Sequence, residues 1–580
     1  MLNRMIVRNF KRFDEVEIEL GDPVVFIGPN NSGKTSALQA LALWDMGLKR
    51  WLERRKGKAT HPEERPGVAI NRRDLVALPV PNAKLLWRDL HVRDVARDES
   101  GKTKQTLNVR VDILVEGITE DVLWECGLEF DYANEESFYC SPLRKSQGSK
   151  LDRLSVPPQA EGVRIAFLPP MSGLSANETR LDPGAINVRI GEGRTAEVLR
   201  NLCYGVANDR PEQWSTLRDQ IEALFGERLE EPQYVSERGE IVMSYREDGR
   251  MLDISCSGRG LQQTLLLLAY MYINPGSVLL LDEPDAHLEI LRQRQIYQLL
   301  TDVARLNGNQ IIAASHSEVL LDEAAGRDVV VAFLGKPHRI NDRKSQVLKS
   351  LKEIGFHDYY QAAQTGWVLY LEGSTDLAIL RAFADRLGHK DAQKALERPF
   401  VCYVANQPDK VRQHFHGIRE AVPGLKGLVV FDRLDRPLPE DLGADGFIWR
   451  KREVENYLCS PETLIAYAEH TGREEAAGDL FSRRDSQKRV DAMQQSIGEI
   501  GEALERLGKG GPWDPDTKAS DDFLVPLFKD YFKRLDLPNI MDKKQFHELA
   551  RFVPESQIDA EVKGVLDRIV RLSLEASGTV

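Results

Sequence analysis

The chain has 580 residues, 42% hydrophobic and 29% charged, with a formal net charge of −12 and a sequence pI near 5.6. That length is too great for one core and implies two to four domains, while the acidic balance argues against nucleic-acid binding by bulk charge and leaves local basic tracts such as residues 49–56 and Arg450-Lys451-Arg452. Six cysteines with no CxxC spacing suggest neither a disulfide frame nor a zinc site; without a span of ~20 apolar residues or a secretory or transit pattern at the N-terminus, the expectation is a cytoplasmic protein with no membrane partner.

Residues 5–10 and 16–20 alternate like paired strands. The apolar run 23–27 then reads as a buried strand, followed by Gly28-Pro29-Asn30-Asn31-Ser32-Gly33-Lys34-Thr35-Ser36 and a helix supported by Ala37, Leu38, Leu41 and Leu43. Strand, glycine-rich turn and helix in that order make a P-loop. Backbone N–H groups of Asn30, Asn31, Ser32, Gly33 and Ser36 would cradle the phosphates of ATP, Lys34 would reach the β- and γ-phosphates, and the Thr35 hydroxyl would sit on Mg²⁺. Residues 55–105 are polar and broken by Pro62, Pro66, Pro79 and Pro81, an insertion or long loop. Period-two alternation over 106–115 predicts an antiparallel strand, and 162–168 another. Helical spacing within about 185–232 predicts a helical insertion and a candidate dimer contact.

Ser257, Gly258 and Gly260 open a Leu-rich helix, an anion-binding terminus when other motifs support it. They do. The run Val278-Leu279-Leu280-Leu281 ends in Asp282-Glu283, placing both carboxylates at the carboxyl end of a buried strand. Asp282 would hold the Mg²⁺ shell and Glu283 would polarise the attacking water. A third apolar run, 310–315, delivers His316 to the same edge as a γ-phosphate sensor. In this order the P-loop, the Ser-Gly-Arg-Gly signature, VLLLDEPDAHLE and ASHS resemble an ABC-type ATPase of the SMC/RecF branch. The opening Val7-Arg8-Asn9-Phe10-Lys11-Arg12-Phe13 fits the same branch. That resemblance implies two heads sandwiching ATP, and so a homodimer or higher homo-oligomer. No Q-loop glutamine is placed.

After a connector over 336–365, a second α/β unit begins. The strand run Trp367-Val368-Leu369-Tyr370-Leu371 ends at Glu372, with Asp376 in the first turn of the next helix. A further strand, 427–431, ends at Asp432, and Arg452-Glu453-Val454-Glu455-Asn456-Tyr457 follows. Acids from two strand tips and a nearby segment are what a pair of hard cations needs to clamp a phosphodiester. His414 and His416 have no evident acid or cysteine partner and read as surface residues, and 475–530 reads as charged and loop-rich.

The second unit resembles a TOPRIM domain, Glu372 matching its glutamate and Asp432 the first acid of its DxD. It departs at the second acid, where Leu434 stands and the next acid is Asp435. An ABC ATPase fused to TOPRIM with this following segment is similar to the OLD (overcoming lysogenization defect) nucleases, a family that includes the Gabija defence nuclease subunit. The resemblance implies an α/β architecture: an ATPase head over 1–335 and a TOPRIM domain with a C-terminal extension over 366–580. It also implies Mg²⁺, with Mn²⁺ as a substitute, held by Glu372, Asp376, Asp432, Asp435, Glu453 and Glu455. Lys543 or Lys544 would steady the developing charge. DNA is the implied substrate and anti-phage defence the implied role, with a helicase or other defence protein as a candidate partner. The alternatives are a regulatory ATPase whose degenerate TOPRIM site is a docking platform, and a TOPRIM effector that cleaves RNA or tRNA.

Overall fold

A computed structural model describes residues 1–55, 67–75, 78, 80–97, 103–145, 152–325, 327–333, 335–340, 354–420, 422–434, 436–474 and 479–578. The chain divides into two compact units, Met1–Leu348 and Lys349–Val580. Residues 341–353 of the expected connector, together with Pro62, Pro66, Pro79 and Asp435, lie outside the described residues.

The first unit is built on two sheets. Leu2–Phe10 and Phe13–Glu19 form a hairpin whose inward residues (Leu2, Met5, Val7, Phe10) are fully buried. They begin an antiparallel sheet that continues through Arg110–Thr119, Val122–Asn134, Ser137–Pro142 and Val68–Asn71. The alternation expected at 106–115 is split between two strands. Arg110–Thr119 turns Val111, Ile113 and Val115 inward, whereas Thr103–Asn108 pairs with Arg93–Arg97 in a separate hairpin.

The second sheet runs in the order Ile165–Leu168, Val278–Asp282, Gln310–Ser315, Val24–Ile27, Val329–Ala332 and His338–Arg339, parallel except for the last pair. Parallel strands covered on both faces read as unbroken apolar runs, which is why Val278–Asp282 and Gln310–Ser315 are buried at every position. Helix Lys34–Arg55 packs against both sheets and carries Leu38, Leu41 and Trp44 into the core they share. On the other side, Leu199–Asp209, Pro211–Phe225 and Arg259–Ile273 pack as helices, and Leu202, Val206, Leu217 and Ile221 join one cluster with Leu265 and Leu268. The apolar faces of the helical insertion are thus used inside the unit.

In the second unit, four parallel strands lie in the order Val401–Tyr403, Trp367–Leu371, Lys426–Phe431 and Asp445–Ile448. All four end on one edge. The region expected to be loop-rich holds a long helix, Asp479–Arg506. Met493, Ile497, Ile500 and Leu504 fall at helical spacing and pack into the unit's core, a stripe that the surrounding charges obscure in the sequence. Phe356–Thr365 is also helical and belongs to this unit. Among the described residues no helix is long and apolar enough to cross a membrane.

Candidate functional site

The strand Val24–Ile27 delivers the chain to Gly28, and helix Lys34–Arg55 starts six residues later. Gly33 has φ 109°, and a Cβ there would stand 2.8 Å from Arg12 Cδ and 3.0 Å from the Phe13 ring. Only glycine fits that turn. Lys34 is 6% exposed, and its Nζ donates to the carbonyls of Gly28 at 2.5 Å and Pro29 at 2.7 Å. Burial lowers its pKa, opposed by Asp282, Glu283 and Asp285. The Ser32 hydroxyl is buried with no partner among the described residues. An orphaned hydroxyl, a glycine cradle and a helix N-terminus fit a phosphate ligand.

Between the P-loop strand and Val278–Asp282 lies Gln310–Ser315, and the tips of all three strands meet. Thr35 Oγ1 donates to Asp282 Oδ2 at 2.9 Å and Oδ1 at 3.2 Å. Burial pushes Asp282 up to about 6, opposed by the Thr35 hydrogen bond and aided by Glu283. A hydroxyl and a carboxylate oxygen in contact form a hard-oxygen pair that fits Mg²⁺. Glu283 is anchored by its N–H on the Ala314 carbonyl at 2.8 Å, and its carboxylate lies 3.6 Å from His316 Nδ1. Lys34, Thr35, Asp282, Glu283 and His316 therefore share one edge.

The signature residues do not join them within the chain. Ser257 Oγ donates to the Ile254 carbonyl at 2.8 Å, Gly258 caps helix Arg259–Ile273, and Gly260 faces the His287 carbonyl. Among the described residues no hydrogen bond links Ser257, Gly258 or Gly260 to the P-loop. Two features here escaped the sequence reading. Asp285 is 5% exposed, its Oδ1 without a hydrogen-bond partner among the described residues. Arg200, 1% exposed, donates to Asp253 Oδ1 at 2.9 Å and to the Ser175 carbonyl at 3.0 Å, and its Nη1 lies 4.0 Å from Glu178. Asp253 in turn accepts from the N–H and hydroxyl of Ser255, at the start of the signature turn.

The second site stands at the common edge of the four-stranded sheet. Glu372 follows the tip of Trp367–Leu371 and Asp432 follows the neighbouring Lys426–Phe431. Asn406, beyond the tip of Val401–Tyr403, bridges them. Its Nδ2 donates to Glu372 Oε2 at 2.7 Å and to Asp432 Oδ2 at 3.4 Å, while its Oδ1 accepts from the Asp432 N–H at 3.1 Å. Ala405 and Asn406 both adopt left-handed φ, 47° and 55°, a strained pair of the kind that clusters at working sites. Sequence spacing gave no signal for Asn406.

Asp376 Oδ2 accepts from the N–H of Glu372 at 2.9 Å, folding the first helical turn back on the strand tip. Burial and then Glu372 push Asp376 up to about 6. Burial, then Glu372, Asp376 and Glu455, push Asp432 up to about 10. Glu455 is pushed to about 8 by burial, then Glu453, Asp376 and Glu372. Asn456 holds this segment, accepting the Glu453 N–H at 3.1 Å and donating to the Thr517 carbonyl at 2.9 Å. Glu453 accepts from the Ser520 N–H at 2.5 Å.

Glu372, Asp376, Asp432, Glu453 and Glu455 thus lie within one another's fields. Among the described residues no three His, Cys, Asp or Glu side chains form a ready coordination shell. The all-oxygen donor set fits a hard divalent cation by type, with side-chain rotation needed to converge. Lys543 pairs with Asp521, which also pairs with Lys518 at 2.7 Å. Lys518, not singled out from the sequence, feels Asp521, then Glu453 and Glu372. Among the described residues Lys544 makes polar contacts through its backbone alone, its N–H to Asp542 and its carbonyl to His547. His414 is not a surface residue: its side chain is 14% exposed, and it bonds the Tyr370 hydroxyl at 2.9 Å and Asp358 at 3.1 Å. His416, by contrast, is exposed and bonds the Asp441 carbonyl.

Two family models match the first unit. One, described as "AAA domain, putative AbiEii toxin, Type IV TA system", matches residues 54–322. The other, described as "AAA ATPase domain", matches residues 1–45. No curated protein matches the chain. Similar solved structures include the SMC head domain from Thermotoga maritima, at 16% identity over 59% of this chain and 99% of that one, with a TM-score of 0.30. An Smc head domain derived from Pyrococcus furiosus, bound to the C-terminal domain of ScpA, is 14% identical over 61% and 99%, with a TM-score of 0.32. The recombination mediator protein RecF is 14% identical over 59% and 98%, with a TM-score of 0.31. The first unit is a P-loop ATPase domain of the AAA/ABC type.

Proposed function

We propose that the chain is a nucleotide-regulated, divalent-metal-dependent DNA endonuclease of the OLD type, its second unit a TOPRIM domain, acting in anti-phage defence. One observation carries the nuclease half: Glu372 and Asp432, from the tips of adjacent parallel strands, are bridged by Asn406 with Asp376 and Glu455 beside them. Carboxylates packed this closely without a countercharge are stable only when protonated or when a cation joins them. Divalent ions bound there would supply Lewis acidity at the phosphodiester and an ionised water at neutral pH. Glu372 and Asp432 would hold them between the two strand tips. Glu453 and Glu455 replace the acid absent at Leu434, with Asn456 fixing their approach. Lys518 and Lys543, tethered to Asp521, would supply positive charge to the phosphate as it gains negative charge.

In the ATPase domain, Lys34 would exchange the carbonyls of Gly28 and Pro29 for phosphate oxygens, and Glu283 would orient the attacking water with His316 beside it. No hydrogen bond ties the signature turn to its own P-loop among the described residues, and a second copy would complete the nucleotide site. Dimerisation would then control access to the carboxylates. Nicking of supercoiled plasmid in Mg²⁺ or Mn²⁺ tests this: wild type should nick and Glu372→Ala should not. A wild-type protein that hydrolyses ATP but cleaves no DNA under any nucleotide or metal condition would favour the docking-platform reading, which Leu434 supports. Cleavage confined to RNA would move the substrate instead.

A further inference from the structure

Arg381, Arg386 and Arg551 line a depression of about 550 Å³ in the second unit, together with Ala378, Ala382, Asp385 and His547. The depression gathers three guanidinium groups in a chain of net charge −12. None of them forms an ion pair among the described residues. Arg381 donates only to the carbonyls of Leu396 and Glu397, Arg386 to the carbonyl of Val553, and Arg551 makes no polar contact among them. The one acid on the lining, Asp385, accepts from Gln393. His547 donates through Nδ1 to the Lys544 carbonyl. Unneutralised, closely spaced arginines with planar donor forks are a phosphate-binding chemistry.

Two elements tie this depression to the carboxylate cluster. Helix Ser374–Arg386 carries Asp376 in its first turn and Arg381 and Arg386 further along. The turn Phe546–Phe552, which packs along that helix, follows directly on Lys543, whose ammonium pairs with Asp521 beside Lys518. At ~1.5 Å per residue, Arg381 lies roughly 7 Å and Arg386 roughly 15 Å along the helix from Asp376. A DNA strand carries one phosphate per ~3.4 Å of axis, so the interval spans about two to four nucleotides. We infer that this depression takes backbone phosphates of the DNA strand whose scissile linkage lies at the carboxylate cluster, a role that rests on the nuclease reading above. It would fix the register of the strand, without reading its bases.

The test is the salt dependence of binding by the full chain to a short labelled DNA duplex, with Ca²⁺ replacing Mg²⁺. Arg551→Gln should weaken binding and lower the slope of log K against log salt by about one, and Arg381→Gln/Arg551→Gln by about two. Arg419→Gln, on the exposed end of a different helix, should leave the slope unchanged; the second unit's urea-unfolding transition checks that each variant folds. If wild type binds DNA and the Arg551 and double variants keep its slope, the inference fails while the nuclease reading stands. An equal fall for Arg419→Gln means bulk charge and also overturns it. If wild type neither binds nor nicks DNA, the nuclease reading fails and takes the inference with it.

Discussion

The two candidate sites balance charge in opposite ways. At the P-loop edge, the Lys34 ammonium stands among Asp282, Glu283 and Asp285, and Thr35 hydrogen-bonds Asp282. In the second unit, five carboxylates share a sheet edge with a neutral amide, Asn406, and lysines only at the margin. The first arrangement is self-compensating, so it can form at little cost and exchange one partner for a phosphate. The second stores repulsion: Asp432, Glu455 and Asp376 take up protons well above the usual carboxylate range. An edge of that kind is built for a ligand that supplies positive charge.

The sharpest way to break the comparison is to remove the compensating charge from the first site. Lys34→Ala should lower ATP hydrolysis by about 10²–10³-fold, the loss expected for one preorganised charged donor in a water-poor site. Steady-state phosphate release measures it. Metal binding at the second unit should be untouched, because Lys34 is not among the charges that shift its acids.

The opposite test uses protons. Each raised carboxylate must lose its proton to accept a cation, so Mn²⁺ affinity should fall by about a hundredfold for each pH unit lost between 8 and 6, where Asp432 and Glu455 are both protonated before metal binds. Isothermal titration in two buffers of different ionisation enthalpy would report the released protons. The stability sign follows. A carboxylate whose folded pKa is raised stabilises most below its unfolded value, and that contribution is lost as pH rises through about 6, 8 and 10 in turn. The metal-free second unit should therefore weaken toward alkaline pH, and Mg²⁺ should restore it. A metal affinity independent of pH would mean the acids are not competing with protons, and the contrast between the two sites would disappear.

A smaller effect is expected at Arg200. Replacing it by Met removes the cation from the buried Glu178 and from Asp253, a loss of about 3 kcal/mol, read as a lowered melting temperature. ATP hydrolysis should fall less than with Lys34→Ala, since Arg200 reaches the signature turn only through Asp253 and Ser255.

The sequence made the first site legible almost completely, and physical reasons explain why. Strand-turn-helix is local: nine consecutive residues make the P-loop, and Asp282, Glu283 and His316 each directly follow an unbroken apolar strand. Strand tips in a parallel sheet have to share an edge, so Glu372 and Asp432 could be paired on the same grounds. What the sequence concealed is carried by side chains that act across long separations. Asn406 gains its place from two left-handed residues after a three-residue strand. Lys518 is set by its pairing with Asp521, and Arg200 by a helix 53 residues from its partner Asp253. Helix Asp479–Arg506 was hidden for another reason, its narrow apolar stripe lying among charged residues.

The smallest predicted effect concerns a histidine packed on the second unit's four-stranded sheet. His414, on Pro408–Arg419, connects the Tyr370 hydroxyl of Trp367–Leu371 to Asp358 of Phe356–Thr365, with Cys402 Sγ 3.9 Å away. Burial would lower its pKa, but Asp358 and Cys402 outweigh burial and raise it to about 9. A histidine so raised stabilises the fold fully below its unfolded pKa near 6.5, and that contribution is lost as pH rises through about 9. His414→Gln should thus cost about 1–3 kcal/mol at pH 6, the range for a buried hydrogen bond to a charged group. The gap from wild type should narrow by pH 9.5, where the imidazole is neutral in both states. Urea unfolding of the full chain measures this, the second unit's transition being the one that Mg²⁺ shifts at pH 8. Because His414 lies outside the carboxylate edge, its pH dependence should survive saturating Mg²⁺ whereas that of Asp432 and Glu455 should not. That separates a structural cation already compensated within the fold from acids that need one supplied.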